Sequence, residues 1–397
     1  MPILVRITTV PVSMKILLKN QMRFMKEKGF DVVMISADGK EVQELKEQED
    51  CPHFVVPFVR TIKPWQDLKC LFKLIQLFRK LKPDIVHTHT PKAGLLGMLA
   101  AFICGVPVRL HTIAGIPWIN YTGIQKRLLK FLEKLNIQMA TVVYPNSNNL
   151  KQFLLQQGIS HGKLKILGHG TSNGIDTDYF RRGIEPVEEK AVELLRKRAI
   201  KQDAAVWVYV GRLVKDKGTE ELLDAFVSLK QFYPDDELWL IGEEEPELDP
   251  LSEHHLNIMI NNSSIVRWGF QTDVRPFLAA SGLLVFPSHR EGFPNVPLQA
   301  AAMECAMILS DINGCNEIVT DSINGLLVPV ANKQALYNAM LKMRNDADLR
   351  NYFSSNARAK VVVYYERQRI WDALLNEYCY WLMHKQLELP KFTLHHS

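Results

Sequence analysis

The stretch GLLVFPSHREGFPNVPLQAAAMECAMILSD, residues 282–311, sets the architecture. Its apolar start, 282–287, reads as a buried parallel strand, since strands covered on both faces are apolar throughout rather than alternating. The Ala-rich segment that follows favours a helix, and a second apolar run, 306–311, reads as another strand. Strand, loop, helix and strand make one βαβ unit, which implies a parallel sheet with helices on both faces. Arg290 and Glu291 fall on the loop at the carboxyl end of the first strand, the edge where open α/β sheets bind ligands.

Outward from this unit the same alternation covers the chain. In the first half, strands are expected at 3–10, 30–37, 84–90, 106–113, 140–147 and 163–170. Helices are expected at 13–29, 41–49, 66–81 and 91–104. The stretch GHGTSNGIDTDYF, 168–180, is rich in glycine and turn formers and reads as a linker. After a charged helix at 186–200 come strands at 205–211, 237–243, 264–270, 282–287 and 306–311. The expectation is two doubly wound α/β domains in tandem, 1–170 and 171–365, facing a cleft. A last helical segment, 366–397, is expected to return to the first domain.

At 397 residues, with 47% hydrophobic and 23% charged, the composition is that of an ordinary globular protein with two cores. Arg6 and Lys15 interrupt the apolar start, so no signal segment is expected. The most apolar of the long uncharged stretches, 93–108, contains three glycines and Pro107 and is too broken for a membrane span. Six scattered cysteines without a CxxC pair read as reduced thiols, and a cytoplasmic location follows. The net charge of +5 conceals a division. Residues 1–170 hold 24 Lys+Arg against 11 Asp+Glu, and the remainder 24 against 32. Such asymmetry points to an anionic surface or ligand near the first half. No nucleic-acid motif accompanies it, and no nucleic-acid partner is expected.

VGRLVKDKG, 210–218, follows a strand and precedes a helix. Gly211 permits a tight turn, while Arg212 and Lys217 flank a helix start, where backbone N–H groups favour an anion. A diphosphate site and a solvated basic loop both fit these residues. Neither GxxxxGK[ST] nor a post-strand GxGxxG occurs, which disfavours kinase-like cradles and ordinary dinucleotide folds. Glu291 beside Gly292 suits either sugar hydroxyls or solvent.

Together, GRLVKDKG and REGFPNVPLQAAAMECAMILSDINGCNEIVTDSINGLLVP resemble the retaining GT-B glycosyltransferases of family 4 (group 1). DIVHTHTPKAGLLGMLAA, VPVRLHTIAG, NGIDTDYF and GFQTDVRPFLAASGLLVFPS extend the resemblance over roughly residues 3 to 380. The opening is similar to bacterial capsule and O-antigen assembly enzymes. The resemblance implies a second domain that binds a nucleotide-diphosphate sugar, expected to be UDP-linked although GDP donors occur in the same family, and a first domain that binds the acceptor, a glycan or lipid-linked sugar. Arg212 and Lys217 would hold the leaving diphosphate, and Glu291 the donor sugar. Gly211, Gly269, Phe270, Gly292, Phe293, Asn295 and Val296 would complete the donor site. Gln299 stands where the family's second glutamate usually holds the ribose. It can still hydrogen-bond but carries no charge. His111 matches a histidine that approaches the donor sugar. His87 and His89 are weaker candidates, as is Glu317 in the loop 313–319. The family does not require an Asp-x-Asp metal motif. No metal and no cofactor beyond the donor substrate are expected.

Two basic, aromatic stretches, 60–82 with Trp65, Phe72, Leu77 and Phe78, and 117–135 with Trp118 and Tyr121, suit either an anionic membrane face or the core. Peripheral docking on the inner face of the cytoplasmic membrane is the corresponding expectation. The alternatives are a UDP-sugar 2-epimerase on the same fold and a non-catalytic sugar-binding protein. A glycoside hydrolase would need two carboxylates flanking the bond, and the motif offers one.

Overall fold

The computed structural model describes residues 1–59, 61–159, 162–247 and 249–391. Arg60, which opens the first basic stretch, and residues 392–397 of the last segment lie outside the described residues. The chain divides into two compact units, Met1–Gly174 together with the chain from Arg367 onward, and Ile175–Glu366.

The first unit holds strands β1 (Ile3–Ile7), β2 (Asp31–Ser36), β3 (His53–Val55), β4 (Ile85–His89), β5 (Val108–Ile113) and β6 (Val142–Pro145). They lie in the order β3-β2-β1-β4-β5-β6, every pair parallel. The second holds β7 (Val206–Val210), β8 (Glu237–Ile241), β9 (Ile265–Gly269), β10 (Leu283–Phe286), β11 (Ala306–Ser310) and β12 (Leu326–Val328). Their order is β12-β11-β10-β7-β8-β9, again all parallel. The strands β7, β8, β10 and β11 are buried along their whole length, as their apolar runs require, with Glu237 at the start of β8 and Ser310 at the end of β11 the polar exceptions. In each sheet the winding reverses once, between β1 and β4 and between β7 and β10. Crevices at such reversals are where doubly wound sheets take ligands.

The helix Arg367–His384 supplies Trp371, Leu374, Tyr378 and Leu382 to the core around Leu4, Met25 and Phe30 of the first unit. Its Trp371 Nε1 donates to Asn173 Oδ1 at 2.7 Å.

Two sequence expectations are corrected, and two strands that were not expected are added. The segment 13–29 is two helices, Pro11–Leu17 and Gln21–Glu27. Asn20 between them is left-handed, with φ 65°. The buried Glu49 accepts the backbone N–H groups of Asn20 and Arg23 and so caps the second helix. The segment 163–170 makes only isolated bridges, Leu164 to Val143 and Gly168 to Gly170. β3 and β12 are three-residue edge strands, too short to show a period.

The basic stretches form the helices Pro64–Leu81 and Gly123–Met139, the second preceded by a 3₁₀ turn, Pro117–Asn120. The first buries Cys70, Leu74, Ile75 and Phe78 but exposes Trp65, Leu68 and Phe72. The second is partly inside out. Ile124, Leu128 and Phe131 face solvent, while Glu133 and Asn136 are buried. Of the two readings left open for these stretches, Trp118 and Phe78 follow the core one, each 1% exposed. Trp118 stacks on Phe153, with ring centroids 5.6 Å apart. Among the described residues no helix is long and apolar enough to cross a membrane.

Candidate active site

The loops after β7 and β10 meet at the reversal point of the second sheet. Gly218 makes this possible. It is left-handed, φ 70°, and a Cβ there would lie 2.0 Å from the Pro287 carbonyl oxygen, so only glycine lets the loops approach. Lys217, just before it, donates from Nζ to Glu291 Oε1 at 2.6 Å, with the two side chains 15% and 16% exposed. Arg290 Nε pairs with Asp216 Oδ1 at 2.7 Å, and His289 N donates to the Asp216 carbonyl at 3.0 Å. The cation and the acid read separately in the sequence thus form one ion pair, at the carboxyl ends of adjacent strands.

Arg212 stands on the same edge and pairs with Glu245 on the loop after β8, at 2.5 Å. The sequence reading missed Glu245, although the acidic run at 243–245 directly after a strand is a usable signal. Asn313 was also missed. Its Nδ2 donates to the carbonyls of Gly292 at 2.6 Å and Glu291 at 3.2 Å, which fixes the backbone that carries the acid. Gly211 precedes Arg212, whose carbonyl accepts from the buried Tyr209 hydroxyl at 2.8 Å.

The remaining candidates are spread along this edge. Asn295 and Val296 open the helix Asn295–Ala302, and Gln299 lies one turn further, half-buried. No hydrogen bond from the Gln299 side chain occurs among the described residues. Phe293 is buried against Tyr365, with ring centroids 5.3 Å apart, which leaves its backbone for a ligand. Gly269 ends β9 and the Phe270 ring is 68% exposed. The Glu317 carbonyl accepts from the Tyr365 hydroxyl at 3.2 Å.

The histidines belong to the first unit. His111 on β5 is buried, with Nδ1 2.8 Å from Thr88 Oγ1 and 3.2 Å from the Thr88 carbonyl. The carbonyl partner assigns the hydrogen to Nδ1 and leaves Nε2 an acceptor. Burial lowers its pKa to about 4, so the ring is neutral at ordinary pH. His87 and His89 are committed to a buried network. His87 bonds the Tyr378 hydroxyl at 2.7 Å and Thr112 Oγ1 at 2.8 Å. Arg6, fully buried, donates to His89 Nε2 at 2.9 Å and to Tyr378 at 3.0 Å. Burial, with the neighbouring Arg6 charge, holds both imidazoles far below their usual pKa. Among the described residues one group, Asp224, His254 and His255, brings possible metal-ligand atoms within 4.8 Å, and it contains none of the candidate residues.

Residues 192–360 match the family described as glycosyl transferases group 1, and residues 18–170 match the glycosyl transferase 4-like domain. The chain is 34% identical over 363 residues to the capsular polysaccharide biosynthesis glycosyltransferase CapM of Staphylococcus aureus, covering 91% of this chain and 93% of that protein. It is 28% identical over 337 residues to an Escherichia coli α-1,3-galactosyltransferase named for UDP-Gal and α-D-GlcNAc-diphosphoundecaprenol, covering 84% of each. In fold it is similar to Anabaena HepE, solved with UDP, at a TM-score of 0.79 and 20% identity, covering 95% of this chain and 99% of that one. Two doubly wound sheets, a cation and an acid joined at a reversal point, and relatives along nearly the whole length lead to one conclusion: the chain is a GT-B glycosyltransferase and belongs to the group 1 family.

Proposed function

We propose that this glycosyltransferase moves a sugar, with retention of configuration, from a UDP-linked donor to a lipid-diphosphate-linked sugar during surface polysaccharide assembly. The observation that carries the reading is the Lys217–Glu291 pair at the β7/β10 reversal point. It offers one group for a diphosphate and one for sugar hydroxyls at a single spot. The second unit binds the donor and the first the acceptor. The names of the Staphylococcus and Escherichia relatives support the polysaccharide pathway, the UDP donor and the lipid-diphosphate acceptor.

In this reading Arg212 and Lys217 bind the donor diphosphate, and Glu291 orients the donor sugar. The anomeric C–O bond to phosphate breaks as the acceptor oxygen bonds the anomeric carbon from the same face. The acceptor proton passes to the departing phosphate oxygen. Negative charge grows on the diphosphate, so cations that bind it more strongly in the transition state lower the barrier. Glu291 is then a positioning group rather than a nucleophile, and no metal is essential. His111, neutral through burial, is the candidate acceptor of a hydrogen bond from a sugar hydroxyl. Gln299 holds the ribose without a charge. The exposed apolar residues Trp65, Phe72, Ile124 and Phe131, set among lysines and arginines, dock the protein on an anionic membrane surface.

The test is a thermal-shift titration with UDP, GDP, ADP and CMP on the wild type and Lys217→Ala. A nucleotide at a hundred times its Kd stabilises by about 2.7 kcal/mol, which raises Tm by several degrees. UDP is expected to stabilise the wild type alone. An unchanged UDP shift in the variant, or no shift in the wild type, would refute the site.

A further inference from the structure

The donor chemistry leaves a cavity of the first unit unused. It lies where β1 and β4 end, at that sheet's reversal point, with a volume of about 740 Å³, within the range of small-molecule sites. Trp118, Glu133 and Asn136 are among its buried polar lining residues, 1–8% exposed. Trp118 Nε1, Glu133 Oε1 and both amide atoms of Asn136 are buried without a hydrogen-bond partner among the described residues. Buried polar atoms are normally paired, so four unpaired ones around one cavity mark a place for a polar guest. Trp118 can only donate, whereas Asn136 donates and accepts. A guest rich in hydroxyl groups satisfies both.

The rest of the lining is of two further kinds. Leu95, Leu129 and Leu132 form an apolar wall, with Ile62, Tyr121 and Leu128 exposed at its rim. Thr9, Thr90 and Lys92 also line the cavity. The two threonine hydroxyls are 2.8 Å apart, and Lys92 pairs with Asp67 at 2.7 Å. These residues stand at the N-terminus of the helix Pro91–Ile103, the positive end of its dipole, which favours an anion, although Ala93 N–H already donates to Thr9 Oγ1 at 3.3 Å. Thr90 has φ 69° and ψ 145°, a conformation that β-branched residues avoid and that clusters at functional sites. At Gly94, one turn in, a Cβ would lie 2.4 Å from His111 Cε1 and 2.9 Å from Asn136 Nδ2. The candidate histidine and the cavity's polar lining therefore share one glycine.

We infer that this cavity seats the acceptor, a sugar on a lipid diphosphate, with the sugar ring hydrogen-bonded to Trp118, Glu133 and Asn136. The diphosphate lies at Lys92 and the helix N-terminus, and the first lipid carbons leave along the leucine wall. A lipid chain alone would leave the four polar atoms dry, and a free sugar would leave the leucine wall unused. The inference rests on the transferase reading and adds the residues that recognise the acceptor.

The test is calorimetric titration of the full chain with farnesyl diphosphate esters of glucose, galactose and N-acetylglucosamine, and with farnesyl diphosphate alone. At least one sugar ester is expected to bind more tightly than farnesyl diphosphate. Asn136→Ala and the conservative Trp118→Phe should each weaken it roughly 5- to 10-fold, the loss of one or two neutral hydrogen bonds. The UDP-induced melting shift should survive in both variants, and a far-UV circular dichroism spectrum like the wild type's shows that the first unit still folds. The inference is overturned if no sugar ester binds the wild type, if farnesyl diphosphate binds equally well, or if both variants bind like the wild type. A missing UDP shift in the wild type strikes the donor reading instead.

Discussion

Replacing Glu133 by glutamine should stabilise the protein, and increasingly so as pH rises. Burial pushes the Glu133 carboxyl from 4.5 up to about 7, and the neighbouring Asn136 amide offsets this only in part. The folded state thus prefers the protonated acid. Below the unfolded pKa of 4.5 both states are protonated and no penalty arises. As pH climbs toward 7, the unfolded chain ionises freely while the folded one resists, and stability is lost. Linkage puts the loss at about 1 kcal/mol at pH 5 and about 3 kcal/mol at pH 8. Glutamine carries no charge at any pH, so the variant escapes this loss. At roughly 2–4 °C per kcal/mol for a unit of this size, its Tm should exceed the wild type's by about 6–12 °C at pH 8 and by only a few degrees at pH 5. Melting both proteins by circular dichroism from pH 5 to 8 measures the difference directly. A Tm gap that stays constant over this range, or a wild type more stable at pH 8, would refute the argument that burial of Glu133 outweighs what Asn136 offers it.

Lys217→Ala should lower the transfer rate about 10²–10³-fold if the lysine acts on the leaving diphosphate as an oxyanion donor does, read as product formed per unit time at saturating donor. Gly218→Ala places a methyl 2.0 Å from the Pro287 carbonyl and must part the two loops. Its Tm should fall, and the UDP-induced shift should go with it. Gln299→Glu restores an acid where the ribose is expected, and a charged acceptor in place of a neutral one should tighten UDP by about 5- to 10-fold, read from the Kd. The double variant Ile124→Asp/Phe131→Asp removes two exposed apolar anchors and should stop co-sedimentation with anionic vesicles at low salt. Equal co-sedimentation of the double variant and the wild type would count against the docking surface.

Much of the fold was legible because parallel strands, buried on both faces, are written as largely apolar runs. Most strands of the two sheets are found close to where those runs stand. The runs failed where burial is slight or local rules are overridden. β3 and β12 are three-residue edges. The break at Asn20 is held by Glu49, almost thirty residues away, through hydrogen bonds that no local pattern displays.

The candidate site divides the same way. Glu291 at a strand end, Lys217 before a glycine and a helix start, and His111 on a strand are local facts, and the sequence alone supplies them. That Lys217 and Glu291 form a pair, 74 residues apart, depends on β10 lying beside β7, a consequence of strand order. Only the tertiary structure could show that Trp118 is buried, that the helix Gly123–Met139 turns Glu133 and Asn136 inward and Ile124 and Phe131 outward, and that a cavity lies where β1 and β4 end. Periodicity reports which residues share a face of one element. Which way that face points is decided by the elements packed against it, and they come from elsewhere in the chain.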